Sequence, residues 1–153
     1  MSTALLTDRY ELTMLDAALR NGTHDRECVF EVFARRLPDG RRYGVVAGTG
    51  RLLDLIAEFR FGDTELGWLR DNKVVGSDAL DWLESYRFTG DIHGYQTGEA
   101  FFPGSPILTV DGTFAEAVIL ETLVLSVLNY DSAVASAAGR MLSAAQGRPS
   151  AEM

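Results

Sequence analysis

A tyrosine among charged residues is the first feature of this sequence that could serve chemistry. Tyr10 stands in the segment TALLTDRYELTML, which has the pattern of a helix start. Leu12, Leu15 and Leu19 recur at helical spacing and should face the core, which leaves Tyr10 beside the buried stripe. Its ring is therefore available to stack on an aromatic ligand, although packing within the fold is the commoner use of such a residue.

A basic cluster is the second feature. Four arginines lie close together in an otherwise acidic chain: Arg35, Arg36, Arg41 and Arg42. The planar guanidinium group matches the geometry of phosphate and carboxylate groups, so the cluster could bind an anion. The sequence also allows the simpler interpretation that these arginines are solvated at the ends of a hairpin.

Isolated polar residues give weaker signals. Glu121 lies inside the apolar segment FAEAVILETLVLSVL, where a buried carboxylate would need a partner or would have to bind a proton. Glu121 could therefore belong to an interface, to a site or to an exposed helix face. His24, His93 and Cys28 have no partners at metal-ligand spacing, so we expect no metal site in this chain.

The composition limits the classes of function. A length of 153 residues suits one domain, and 46% hydrophobic with 24% charged residues is typical of a globular protein. A net charge of −8 and a pI near 4.7 disfavour binding to nucleic acid or to an anionic membrane. No apolar segment is long enough to cross a bilayer. The single cysteine excludes an internal disulfide and favours a cytoplasmic location.

The N-terminal elements would position Tyr10 and the arginines. Asp8 and Glu11 have the spacing of a capping box, and an Asn-Gly pair can stop the helix, which predicts a helix from about Arg9 to Arg20. Residues 28–36 are rich in strand formers, and the PDG turn behind them leads to further strand residues from Arg41. This pattern predicts a β-hairpin.

The rest of the chain alternates between helix and strand. The glycines of GTG (48–50) lack the remainder of a phosphate-binding motif and are interpreted as a tight strand-to-helix turn. Two short capped helices follow, and the Gly- and Pro-punctuated segment 90–112 predicts a small sheet. The apolar face of the helix after GTG is expected to contain Leu52, Leu53, Leu55, Ile56 and Phe59.

Two helices are predicted in the C-terminal third. A capping box at Thr113 and Glu116 starts a buried helix over 114–128. A second helix begins at Asp131 or Ser132 and ends near residue 146. This second helix is rich in small residues, so another backbone can approach it closely.

Four segments carry family-like motifs in chain order: LLTDRYELTM, VFEVFARRLPDGRRYGVVAGTGRLLDLI, GEAFFPGSPILTVDGTFAEAVILETLVLSVLN and DSAVASAAGRM. Together they resemble the N-terminal part of nicotinate phosphoribosyltransferases. The resemblance covers nearly the whole chain and is greatest for bacterial members, in particular those of the actinobacterial type.

The resemblance implies an α+β fold, the mixed sheet-and-helix N-terminal domain of a type II phosphoribosyltransferase, over residues 1–153. The helices at about 113–146 would lead into an α/β barrel that is missing after residue 153. Full-length members join nicotinate to phosphoribosyl pyrophosphate with Mg²⁺ in NAD salvage, and couple the reaction to ATP hydrolysis. The chain alone is expected to bind neither Mg²⁺ nor ATP and to be inactive. A non-catalytic dimerisation module and a truncated gene product are the alternatives.

The resemblance also implies active sites that are shared across a homodimer. In the family, the tyrosine of the opening motif stacks on the nicotinate ring bound by the neighbouring subunit, and Tyr10 matches that tyrosine. Arg36 is the candidate for a second substrate contact. Thr122 stands where related quinolinate enzymes carry an arginine, and it is assigned no substrate role. No catalytic residue and no metal ligand is expected within this chain.

Overall fold

Helices and short strands alternate along residues 3–151, the part of the chain that the computed structural model describes. A short 3-10 helix at Ala4–Leu6 comes first. The α-helices are α1 (Arg9–Asn21), α2 (Thr49–Glu58), α3 (Asp63–Asp71), α4 (Ser77–Ser85), α5 (Phe114–Val118) and α6 (Glu121–Ala145). The strands are β1 (Glu27–Phe33), β2 (Gly44–Val45), β3 (Asp91–Gly94), β4 (Ala100–Phe101) and β5 (Pro106–Thr113).

The helix that carries Tyr10 forms as predicted. Asp8 and Glu11 make the capping box, and Gly22 ends α1 in the left-handed conformation at φ +64°. Leu12 and Leu15 are buried in the core, where α1 contacts α4 and α5. These local signals agree with one another, so the position of the first turn of α1 could be predicted from the sequence.

The predicted β-hairpin is wrong. β1 pairs antiparallel with β5 along its whole length, and β3 lies on the other side of β5 in the same three-stranded sheet. β2 pairs instead with β4 in a separate two-stranded sheet. A strand of seven residues makes more cross-strand side-chain pairs with the eight residues of β5 than with the two residues of β2. The long-range pairing therefore outweighs the local turn signal.

The predicted helix break near Asp131 is also wrong, because α6 continues through it. Asp131 and Ser132 resemble helix caps in the sequence, but both side chains have partners elsewhere in the fold. The Asp131 carboxylate accepts hydrogen bonds from Arg51, with Nη2–Oδ1 at 2.7 Å and Nε–Oδ2 at 3.2 Å. The Ser132 hydroxyl accepts one from the Ala47 amide at 3.1 Å. Both candidate caps are therefore engaged in tertiary contacts, and the helix has no reason to restart.

The helix predicted over 114–128 is divided instead at Ile119 and Leu120, between α5 and α6. Its start is as predicted, because the Glu116 amide donates to the Thr113 hydroxyl at 3.4 Å in a capping box. At the division, the Thr7 hydroxyl oxygen lies 3.3 Å from the carbonyl oxygen of Ile119. A residue that precedes α1 thus contacts the junction of α5 and α6.

The predicted apolar face of α2 needs one correction. Leu52 and Ile56 are buried, as expected, and Phe59 just after the helix is buried as well. Leu53 is 45% exposed. Successive residues of an α-helix point about 100° apart, so Leu53 turns away when Leu52 faces the core. None of the helices within residues 3–151 is both long and apolar enough to span a membrane.

Two serines of α6 act as hydrogen-bond partners of the segment that contains β2. The Val45 amide donates to the hydroxyl of Ser136 at 2.8 Å, and the Ala47 amide donates to Ser132. Both serines are buried. The side of β2 that does not face β4 is therefore satisfied by a helix rather than by a third strand.

Replacement of one of these serines should destabilise the chain. We expect Ser136→Ala to lower the free energy of unfolding by about 1–2 kcal/mol, because the Val45 amide loses its acceptor. Urea denaturation measures the change. Ser143→Ala is the matched control, since Ser143 is exposed on the same helix and should change stability by less than about 0.5 kcal/mol. Equal losses for the two variants would show that the contact with Val45 is not what Ser136 contributes.

Candidate functional site

A cavity of about 640 Å³ lies between α1, α6 and the loop that joins β1 to β2. The first turn of α1 contributes Tyr10, and α6 contributes Thr122. The loop contributes Arg36 and Arg41. The two substrate contacts expected from the sequence, Tyr10 and Arg36, therefore line the same cavity.

The arginine cluster is divided by the fold. Arg36 and Arg41 line this cavity, whereas Arg35 lines a different one of about 390 Å³, between β1 and α6. The salt bridges found within residues 3–151 include neither Arg36 nor Arg41. The cavity thus combines aromatic side chains with two guanidinium groups and one carboxylate, that of Asp8, so the positive charge is in excess and suits a flat aromatic anion.

Tyr10 is 46% exposed at this cavity. A hydrogen bond with the Glu121 carboxylate is the main cause that raises the pKa of the Tyr10 phenol above its ordinary value of 10.0, and desolvation adds to it. The phenol therefore stays protonated at neutral pH and well into the alkaline range. In this state Tyr10 offers a neutral aromatic ring, not a base.

The buried acid is Glu11, not Glu121. Glu121 is only partly buried, whereas Glu11 has 0% of its surface exposed. One carboxylate oxygen of Glu11 accepts hydrogen bonds from the Thr7 hydroxyl and, at 3.2 Å, from the Asp8 amide. The other accepts from the Thr122 hydroxyl at 2.6 Å and from the Thr122 amide at 3.1 Å. Burial raises the pKa of Glu11, and the hydrogen bonds to Thr122 and Thr7 oppose that rise.

The sequence identified only half of this arrangement. The capping-box spacing indicated the bond from Glu11 to the Asp8 amide, but nothing near Thr122 indicated a contact with α1. A threonine at the second position of a helix is common. Only the tertiary fold shows that its hydroxyl and amide share one acceptor.

A cluster of metal-ligating side chains is absent from the part of the chain that the structure describes. Within residues 3–151, no group of three or more His, Cys, Asp or Glu side chains is placed to hold a metal ion. His93 lies instead 3.6 Å from the Asp111 carboxylate (Nε2–Oδ2), and Cys28 is a free thiol. We therefore assign no ligand of Mg²⁺ to this chain and derive no step through the ion.

The predicted strand-to-helix turn of GTG is confined to Gly48, because Thr49 and Gly50 already belong to the first turn of α2. Gly48 has φ +89° and immediately precedes α2. A Cβ atom at Gly48 would lie 2.5 Å from Oδ2 of Asp131, so the glycine allows α2 to approach α6 closely.

Known proteins resemble this chain in sequence and in fold. The profile of the nicotinate phosphoribosyltransferase (NAPRTase) N-terminal domain matches residues 5–129. The nicotinate phosphoribosyltransferase pncB1 of Mycobacterium tuberculosis (strain H37Rv) is 60% identical over 149 residues, which are 97% of this chain and 33% of that protein. The nicotinate phosphoribosyltransferase of Bacillus subtilis is 34% identical over 140 residues, 92% of this chain and 29% of that protein.

A solved structure supports the same relationship. The crystal structure of human nicotinic acid phosphoribosyltransferase matches with a TM-score of 0.83 and 28% identity, over 94% of this chain and 29% of that one. The α+β fold expected from the resemblance is thereby confirmed, and this chain spans about a third of the length of the curated relatives it matches. On the match over residues 5–129 and the shared fold, the chain belongs to the nicotinate phosphoribosyltransferase family, of which it contains the N-terminal domain.

Proposed function

We propose that this chain is the N-terminal part of an NAD-salvage enzyme that joins nicotinate to phosphoribosyl pyrophosphate and forms nicotinate mononucleotide and pyrophosphate. Relatives that align with 92–97% of the chain bear the name of this activity. The proposed location is the cytoplasm, which the single free cysteine favours.

The proposed role of this domain is to contact the substrate at an active site shared across a homodimer. One subunit holds nicotinate, and the cavity of the other presents Tyr10 and Arg36 to it. The observation that carries this role is the presence of both residues in one cavity. Nicotinate is a flat aromatic ring with a carboxylate, so a neutral phenol ring can stack on it while a guanidinium binds its charge.

The remaining chemistry lies with other parts of the proposed enzyme. Mg²⁺ would supply positive charge for the departing pyrophosphate, and ATP hydrolysis would improve the yield. The described residues offer no group of metal-ligating side chains, so the proposal gives this domain a binding role and no catalytic residue.

The role of Tyr10 can be tested in a chimera in which this chain replaces the N-terminal third of the Mycobacterium tuberculosis relative. Tyr10→Ala should weaken nicotinate binding by about 1–2 kcal/mol, the scale of an aromatic contact, which raises its KM about tenfold. Tyr10→Phe should have a smaller effect, because it keeps the ring and loses only the phenol hydroxyl. The KM for phosphoribosyl pyrophosphate is the internal control and should not change.

Arg36 provides a second arm of the same experiment. Arg36→Ala should also raise the KM for nicotinate selectively, whereas Arg35→Ala, on the neighbouring residue outside the cavity, should not. Two results would reject the substrate-binding role: a rise of both Michaelis constants by the same factor, or a lower melting temperature with a normal KM for nicotinate. Tyr10 would then be a residue that only packs within the fold.

A further inference from the structure

The start of α6 has no cap of its own. An α-helix begins with amides that have no partner inside the helix and with the positive end of its dipole. The N-cap residue of α6 is Leu120, whose apolar side chain cannot accept a hydrogen bond from the free amides of the helix. The Thr122 amide instead donates to Glu11, 111 residues earlier in the chain, at 3.1 Å. α1 thus supplies the missing cap of α6.

The same carboxylate caps α1. Glu11 accepts the Asp8 amide at the start of its own helix and, through its other oxygen, both the amide and the hydroxyl of Thr122. With the Thr7 hydroxyl it accepts four hydrogen bonds in all, which matches the number of lone-pair positions on a carboxylate. Glu11 therefore joins the first turns of two helices at a fully buried point.

This junction is adjacent to the tyrosine of the cavity. Tyr10 is adjacent to Glu11 in the first turn of α1, and Thr122, the partner of Glu11, lines the same cavity as Tyr10. Tyr10 is nearly half exposed, so few core contacts hold its ring. The direction of that ring depends on the position of the first turn of α1, which the contact between Glu11 and Thr122 fixes.

We propose that Glu11 and Thr122 are positioning residues for substrate recognition: their contact holds the first turn of α1 so that the Tyr10 ring can stack on nicotinate. This inference rests on the proposed function of the cavity. It assigns a role to Thr122, which lines the cavity but has neither the charge nor the ring to bind the substrate strongly itself.

The hydroxyl of Thr122 allows a matched test in the chimera. Thr122→Val has nearly the same shape but removes the hydroxyl donor, whereas Thr122→Ser keeps it. We expect Thr122→Val to raise the KM for nicotinate roughly fivefold, the factor that corresponds to loss of one ordinary hydrogen bond. The KM for phosphoribosyl pyrophosphate should stay unchanged. The Thr122→Ser variant, which keeps the hydroxyl, should have the same KM for nicotinate as the unsubstituted chimera. If the role of Thr122 is purely structural, Thr122→Val should lower the melting temperature and leave the ratio of the KM for nicotinate to the KM for phosphoribosyl pyrophosphate unchanged.

A Tyr10→Ala background separates this inference from the proposed function. There, Thr122→Val should cause no further rise in the KM for nicotinate, since the contact acts through Tyr10. If Tyr10→Ala raises the KM but Thr122→Val alone does not, the positioning role is overturned and the substrate-binding role of Tyr10 remains. If Thr122→Val acts equally with and without the Tyr10 ring, the positioning role is overturned as well.

A second variant covers the case in which Thr122→Val does not fold. Glu11→Gln keeps one acceptor oxygen but replaces the other with a donor, so it weakens the junction without emptying the site. It should produce the same selective rise in the nicotinate KM. A folded Glu11→Gln chimera with both Michaelis constants normal would overturn the inference.

Discussion

Residues 1–153 alone are expected to form no nicotinate mononucleotide from nicotinate and phosphoribosyl pyrophosphate. Ribosyl transfer needs a precisely held ribosyl centre and positive charge around the departing pyrophosphate. The cavity of this chain offers two guanidinium groups, Arg36 and Arg41, and the described residues form no metal-binding group. Enzymes accelerate reactions by at least about a millionfold, so a chain without the catalytic groups should form no detectable product.

Chromatographic detection of the product with purified chain measures this directly. The chimera with the Mycobacterium tuberculosis relative is the positive control and should form product under the same conditions. Product that increases in proportion to the concentration of the isolated chain, above a control without protein, would contradict the prediction. It would also show that this domain contains catalytic groups that we have not assigned.

Glu11→Ala is expected to cause the largest loss of stability among the substitutions considered. It removes the acceptor of two amides and two hydroxyls from a fully buried position, and it leaves a cavity behind. Each unsatisfied buried group costs about 1–3 kcal/mol, and partial relaxation reduces the sum, so we expect a loss of about 3–5 kcal/mol. Since domains of this size are stable by only about 5–15 kcal/mol, the variant should be close to unfolding.

Urea denaturation of the isolated chain, followed by circular dichroism, measures this loss. Glu84→Ala is the matched control: Glu84 lies in α4 and is exposed, so the same substitution should change the free energy of unfolding by less than about 0.5 kcal/mol. If Glu11→Ala were as mild as Glu84→Ala, the junction between α1 and α6 could not depend on this carboxylate.

Local patterns were sufficient for the features whose partners are close in the chain. The capping boxes at Asp8 and Thr113 and the stop at Gly22 were all predicted, because each joins groups within a few residues. The family was also predicted from the sequence, on four motifs in chain order, and the profile match over residues 5–129 confirms it. The expected position of Tyr10 beside the buried stripe of α1 follows from helical spacing alone.

The tertiary structure decided which polar side chains serve local structure and which serve distant partners. Ser132 looked like a helix cap but binds Ala47, 85 residues away, and α6 therefore continues through it. Leu120 looked like the middle of a helix, yet α6 starts just after it, capped by Glu11 from 111 residues away. A hydroxyl or carboxylate forms a hydrogen bond with whichever donor or acceptor the fold brings within about 3 Å. The spacing of two residues in the sequence does not predict that distance when they are far apart in the chain.

The composition of the cavity was decided in the same way. The four arginines looked equivalent in the sequence, but the course of the loop after β1 places Arg36 and Arg41 with Tyr10 and turns Arg35 to another surface. Pairing of β1 with β5 instead of β2 sets that course. The sequence by itself therefore determined the family and the helix that carries Tyr10, whereas the grouping of its side chains into one cavity depended on strand pairs that are far apart in the chain.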